Sequence, residues 1–233
     1  MIVLLVRRRI NVIRHESGMK QKIAETEMMA LRAQMNPHFI FNCLSAIDNL
    51  IQTNQQDKAT TYLARFGKLI RSVLDSSKNN LVPFHRDFET VRLYLQLEQF
   101  RSNNKFSYEI KADPELLNND YNVPPLIVQP FLENAIHHGL LNKQTLDRKL
   151  DIAVQLKDDH ILYTITDNGI GRQNAAAIKA LNRPEHLSYG IQIIKERVRL
   201  HNRSKLTDDI IITDMENNGQ VEGTKVAVRI NIK

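Results

Sequence analysis

Cysteine, tryptophan and glycine are scarce in this 233-residue chain: one Cys, no Trp, eight Gly, with seven Pro. Cys43 alone can form neither an internal disulfide nor a cysteine zinc site, so a disulfide-stapled scaffold is excluded and a reducing, cytoplasmic setting fits. So few glycines and prolines exclude a collagen-like chain. What is present is ordinary. Hydrophobic residues make up 42% and charged residues 25%, the balance of a globular protein with one large or two modest domains.

The net charge is +6, and its distribution matters more than its size. Arg7, Arg8, Arg9 and Arg14 fall in residues 1–14, which contain no acid; without them the excess is only +2. No basic stretch is interleaved with aromatics, so nucleic acid is not an expected partner. Met1 to Val6 is apolar and is followed at once by three arginines. Six residues are far short of the roughly 20 that span a bilayer. The pattern matches the last turns of a spanning helix with its cytoplasmic arginine anchor. It is not a signal peptide, because the charges follow the apolar run. Residues 1–18 are therefore expected to end a transmembrane helix and form a juxtamembrane segment, tying the protein to a membrane through an upstream part.

Residues 19–103 read as helical. Met28, Leu31 and Met35 keep helical spacing, and after Pro37 so do Ile40, Leu44, Ile47 and Ile51. Residues 52–58 are polar and predict a turn. A second helix carries Tyr62, Phe66, Leu69, Ile70, Val73 and Leu74, and a third runs from Asp87 to Arg101. Such a hairpin needs its apolar stripes covered, which predicts a homodimer. From residue 104 the period changes. Phe106, Tyr108 and Ile110 alternate, as do Leu150 to Leu156, Ile161 to Ile165 and Val226 to Ile232. Residues 172–181 and 190–201 predict helices. The expected fold is an α-helical dimerisation hairpin (19–103) followed by an α/β two-layer sandwich (104–233), a mixed sheet with helices on one face.

Four segments carry chemistry. Pro37 breaks a helical pattern, so Asn36 suits an N-cap with Pro37 at the first position. At roughly 100° per residue, Ile40, Leu44, Ile47 and Ile51 lie about 200°, 240°, 180° and 220° from His38. His38 thus faces away from that stripe, with Asn42 on its own side. An outward imidazole is a nucleophile for a phosphoryl group, populated as the neutral form near neutral pH; the alternative is a solvated histidine beside a kink. Asn134, His137 and His138 stand at i, i+3, i+4 and are expected to share a face, the amide for Mg²⁺ and the imidazoles for phosphate. A Glu/His metal site there lacks a convincing ligand set. Asp167-Asn168-Gly169-Ile170-Gly171 follows a strand, where a carboxylate can accept an exocyclic amine and glycines admit a close ligand. Ser188-Tyr189-Gly190 opens a helix whose N-terminus suits phosphate, and Gly223-Thr224 precedes the last strand. Gly139, Gly169, Gly171, Gly190 and Gly223 all lie in these segments, which suggests a ligand wall.

Together these segments resemble the cytoplasmic part of LytS/YehU-type sensor histidine kinases. Gln34 to Asn42 resembles that family's phosphoacceptor box, Tyr94 to Arg101 its third-helix signature, and Gln129 to Gly139 its N box; Asp167 to Gly171 matches the G1 box of GHKL-type ATPases. The resemblance implies a Bergerat-type (GHKL) ATP-binding sandwich that uses ATP and Mg²⁺. His38 would take the γ-phosphoryl group and pass it to an aspartate on a response regulator receiver domain. Asn134 would hold Mg²⁺, with His137 and His138 beside it. Asp167 would read the adenine amine, Gly169, Gly171 and Gly190 would shape the pocket and lid, and Thr224 would support the adenine end. Phe39 stands where an acid is common, which leaves Glu133 to orient or deprotonate the imidazole. The location implied is the bacterial cytoplasmic membrane, with this portion on the cytoplasmic side. The G2 segment departs from Gly-x-Gly-Leu-x-Asn, reading Ser188-Tyr189-Gly190-Ile191-Gln192-Ile193. A catalytically weak pseudokinase, a nucleotide-binding dimeric scaffold, is the alternative that departure leaves; a hydrolytic clamp is a third, against which the His38 box argues.

Overall fold

The computed structural model describes residues 37–182, 187–203, 209–217 and 220–232, and gives the backbone alone for 37, 38, 176, 178–182, 187–190, 217 and 220. The membrane-helix and juxtamembrane segment expected over 1–18, and the Asn36 cap, lie outside these residues. Among the described residues no helix is long and apolar enough to cross a membrane.

Among the described residues three helices come first: α1 (Pro37–Gln52), α2 (Gln56–Ser77) and α3 (Phe84–Arg101). Helix α1 begins at Pro37, whose fixed φ and missing N–H suit a first position. Asn54, with φ 57, turns the chain into α2, a conformation that Asn tolerates better than most residues. The buried face of α2 is Tyr62, Phe66, Leu69 and Val73, as the spacing predicts. That of α1 is not. Phe39, Cys43, Ile47 and Leu50 are buried, whereas Leu44 and Ile51, two members of the expected stripe, are 48% and 53% exposed, and Phe41 is 68% exposed. Apolar residues surround most of α1, and packing against α2 and α3 chooses the half that periodicity left open. The Tyr62 hydroxyl lies 3.3 Å from Cys43 Sγ, and the Phe39 and Tyr94 rings are 5.1 Å apart.

Helix α3 is buried on most sides: Phe84, Asp87, Val91, Leu93, Tyr94, Leu95, Leu97 and Glu98. A helix apolar around most of its circumference is enclosed by neighbours. On one side Thr90 shares a hydroxyl hydrogen bond with Ser72 of α2. On the other Phe84 meets Tyr163 of the sheet, ring centroids 6.2 Å apart, and the Asp87 carboxylate accepts the Leu126 N–H at 2.9 Å. Two left-handed asparagines, Asn103 and Asn104, follow the end of α3. Helix α3 itself packs into both halves.

After α3 come β2 (Ser107–Ala112), α4 (Pro114–Asn118), α5 (Gln129–Glu133), a π-helix (Asn134–Leu140), β4 (Lys149–Leu156), β5 (His160–Asp167), α6 (Gly171–Asn182), α7 (Leu187–Asn202), β6 (Ile210–Asn217) and β7 (Gln220–Asn231). Short strands β1 (Val82–Pro83) and β3 (Asn122–Val123) pair beside α3. The main sheet has the order β2-β4-β5-β7-β6, parallel between β2 and β4 and antiparallel elsewhere. Leu150, Ile152, Val154, Ile161, Tyr163, Ile165, Val226, Val228 and Ile230 are buried and alternate along their strands, so they form one face. Leu132, Ile136 and Leu140, with Ile194 and Val198 of α7, belong to the same core. The two-layer sandwich and the helical part ahead of it agree with the sequence.

Candidate functional site

The sheet register builds the floor of a cavity. Asp167 of β5 stands opposite Thr224 of β7, and Thr224 opposite Asp214 of β6; one row deeper, Ile165, Val226 and Ile212 are paired in the same way. Residues directly opposite in a ladder share a face, so a polar row borders an apolar one. Thr224 lies inside β7, not before it, because the β6–β7 hairpin continues past an irregularity at Met215/Glu216.

A cavity of about 230 Å³ opens over this floor, lined by Asp167, Thr224, Val226 and Ile212 and walled by Phe131, Asn134, Ala135, His138 and Gly139. Ala175 of α6 and Ile191 of α7 complete its apolar part, and Gly171 and Arg172 its rim.

The π-helix decides which histidine reaches the cavity. Its hydrogen bonds span five residues, as from the Leu141 N–H to the Ile136 carbonyl at 2.9 Å. Wider turns keep His138 nearly above Asn134 and rotate His137 away, so the expectation that all three share a face does not hold. Instead His137 Nε2 lies 3.2 Å from Glu98 Oε2 and 3.1 Å from the Arg101 guanidinium. Arg101 also holds Glu98 at 2.6 Å. Burial works to raise the Glu98 carboxyl, but the hydrogen bonds and charges of His137 and Arg101 outweigh it and hold it below the ordinary glutamate value.

Asp167 is 4% exposed and its Oδ1 accepts the Gly169 N–H at 2.9 Å. Burial pushes its carboxyl up to about 6, against the hydrogen bonds from the backbone of Gly169 and Thr224. The glycines here serve this carboxylate first. A Cβ at Gly139 would stand 2.8 Å from Asp167 Oδ1, one at Gly169 2.5 Å from the Gly139 carbonyl carbon, and one at Gly223 would overlap the Asp167 carbonyl. These three positions are glycine because three segments converge on Asp167, which refines the ligand-wall reading. Gly171, with φ +75, turns the loop into α6 against Val221. Asn168 and Lys143 pin the loop, the amine donating to the Asn168 carbonyl at 2.6 Å and Asn168 Oδ1 accepting the Lys149 N–H at 2.7 Å.

Of the residues singled out in the sequence, Asn134, His138, Asp167, Gly171 and Thr224 meet at the cavity, with Gly169 against Asp167. Gly190 lies in the first turn of α7. Glu133 closes α5 near Tyr94, where burial first and then the charges of Glu98 and Glu133 raise the phenol. His38 lies in the first turn of α1, and its side chain is outside the described set. The sequence reading missed Arg172, Phe131, Ile191, Ile212 and Val226. Arg172 adjoins Gly171 and was within reach; the apolar wall is assembled by strand pairing and helix packing that no single segment shows.

The chain is similar to several known proteins. A family model described as "Histidine kinase" matches residues 26–106. The sensor protein LytS of Staphylococcus epidermidis is 32% identical over 151 residues, covering 65% of this chain and 25% of that protein. The sensor protein LytS of Oceanobacillus iheyensis is 32% identical over 186 residues, covering 78% and 31%. The sensor histidine kinase YesM of Bacillus subtilis is 31% identical over 196 residues, covering 83% and 32%. The matches thus span a quarter to a third of the length of these relatives. Among solved structures, the catalytic domain of histidine kinase ThkA aligns with a TM-score of 0.41 at 12% identity, covering 65% of this chain and 94% of that one. With the phosphoacceptor-like box, the N-box helix and the Asp167 loop in one chain, the protein belongs to the LytS-type sensor histidine kinase family.

Proposed function

We propose that this chain is the phosphoacceptor and nucleotide-binding portion of a two-component sensor kinase that phosphorylates His38 from ATP and hands the group to an aspartate of a response regulator. The observation that carries the reading is Asp167: a buried carboxylate in a cavity that Phe131, Ile191, Ile212 and Val226 make largely apolar and that Asn134 and His138 also line. A buried acceptor beside apolar walls suits the amine of a purine. The Asn134 amide and His138 suit the polyphosphate end, where Asn134 would ligate Mg²⁺ and phosphate oxygens would supply further ligands. Bound there, the ion would neutralise phosphate charge.

In the transfer itself a neutral His38 nitrogen attacks the γ-phosphorus, the bond to the bridging oxygen breaks, and ADP leaves. Positioning and charge neutralisation dominate such a step. Glu133 would orient or deprotonate the imidazole. Its charge is felt by Tyr94, whose ring packs on Phe39, the neighbour of His38. The exposed Phe41, Leu44 and Ile51 on α1 and Leu63 on α2 support a homodimer through these helices. Residues 1–18 support attachment to the cytoplasmic membrane, with the described portion on the cytoplasmic side.

Titration with a fluorescent ATP analogue, with and without Mg²⁺, tests the nucleotide reading. Loss of a hydrogen bond to a charged group costs about 1.5–3 kcal/mol, so Asp167→Asn is expected to weaken binding by roughly ten- to a hundredfold, and Asn134→Ala to remove the Mg²⁺ dependence. Unchanged affinity in Asp167→Asn would contradict the assignment.

A further inference from the structure

The polar row that begins at Asp167 does not end at Thr224. Its next member, Asp214 on β6, binds Arg172, a residue to which the sequence motifs assign no role. Asp214 Oδ1 accepts the Arg172 Nε–H at 3.0 Å and the Arg172 backbone N–H at 3.2 Å. The Asp214 side chain is 14% exposed and that of Arg172 53%. Burial works to raise the Asp214 carboxyl, but the side-chain and backbone hydrogen bonds from Arg172 outweigh it and keep it below the ordinary aspartate value.

This anchor determines where the cation stands. Asp214 is two strands from Asp167 in a single cross-strand row, joined through Thr224. Arg172 lines the same cavity as Asp167. Because its anchor shares a row with Asp167 and Thr224, the guanidinium is tied to the part of the floor that carries Asp167. A guanidinium is planar, donates hydrogen bonds without accepting any, and stacks on aromatic faces. The cavity that it lines has an apolar part made by Ala175, Ile191, Ile212 and Val226. A flat π-system satisfies both the apolar wall and the cation.

We propose that Arg172, anchored by Asp214, is a specificity-determining residue that stacks its guanidinium on the purine ring whose amine Asp167 accepts. The proposal rests on the nucleotide reading above. It assigns Asp214 as a positioning residue and separates the charge at the base end from the groups at the phosphate end.

The test compares ATP with ribose 5-triphosphate, which lacks the base, each displacing a fluorescent ATP analogue from the whole chain. A cation–π contact implies about a three- to tenfold loss of ATP affinity in Arg172→Ala, with ribose 5-triphosphate unchanged. Asp214→Asn, which keeps the arginine and loosens it, is expected to weaken ATP by less and again to spare the base-free ligand; it also carries the test should Arg172→Ala fold poorly. Equal losses for both ligands would place Arg172 on the phosphates and overturn the proposal, as would unchanged ATP affinity in both variants. A wild-type chain that binds neither ligand would instead overturn the nucleotide reading on which it rests.

Discussion

His137 and Glu98 are partners: the imidazole Nε2 stands 3.2 Å from a carboxylate oxygen whose side chain is wholly buried. The contact fastens the π-helix to α3 and turns His137 away from the cavity that His138 lines. Removing one partner from a buried ionic group leaves a charge uncompensated, at a cost of about 3–5 kcal/mol. Arg101→Ala should therefore lower the unfolding free energy by roughly 3 kcal/mol, measured by urea denaturation. Lys68→Ala, which breaks an exposed pair with Glu89, should cost less than about 1 kcal/mol. Equal effects of the two variants would contradict the role given to the Glu98 cluster.

Gly139→Ala places a methyl group 2.8 Å from Asp167 Oδ1. The carboxylate or the π-helix must move. Nucleotide affinity should fall at least tenfold, an effect of about 1.4 kcal/mol or more, while Gly67→Ala, where a Cβ meets nothing within 4 Å, should leave affinity unchanged. Nucleotide titration of both variants gives the comparison, and retained affinity in Gly139→Ala would remove the steric argument.

Two buried carboxyls set a pH dependence. Burial raises Asp87 to about 6, against the Leu126 N–H and the charge of Arg197, and Asp167 to about 6. A raised folded-state value contributes stability that is present below the ordinary value near about 4 and is lost as pH rises through about 6. Asp87→Asn keeps an oxygen for Leu126 and abolishes the titration. Relative to this variant, the wild type should lose on the order of 2–3 kcal/mol between pH 4 and pH 7. Parallel urea-unfolding profiles would contradict it. Nucleotide binding should run the other way, weakening as pH falls from about 7 to about 5 because protonation of Asp167 removes the charge that accepts the purine amine.

Much of this was legible because strands and long helices write their period into the sequence. The alternation in Ile161, Tyr163 and Ile165 fixed β5, and the spacing of Tyr62, Phe66, Leu69 and Val73 fixed the inner face of α2. The illegible parts share one cause, that distant segments decide them. Helix α1 is apolar at Phe39, Ile40, Phe41, Cys43, Leu44, Ile47, Leu50 and Ile51, and contacts such as Cys43 with Tyr62 and Phe39 with Tyr94 choose between its halves. α-Helical spacing puts His137 beside Asn134, whereas the chain widens there to a π-helix and turns it toward Glu98. Asp214 and Arg172 are 42 residues apart, and their pairing follows from β6 lying beside β7.

The exposed side chains of α1 and α2 give another prediction. Leu44→Asp combined with Leu63→Asp puts charge into the surface proposed to join two copies and leaves the described core untouched, since both positions are exposed. Sedimentation should show a dimer for the wild type and a monomer for the variant. A variant dimer as tight as the wild type would exclude this face.

The central claim is tested most directly by incubating the chain with γ-labelled ATP and Mg²⁺ and following acid-labile label on the protein. The account predicts label in the wild type, none in His38→Gln, and a strong reduction in Asp167→Asn that parallels its loss of nucleotide affinity. Label that persists undiminished in His38→Gln, or a wild type that binds ATP yet acquires no label, would contradict it.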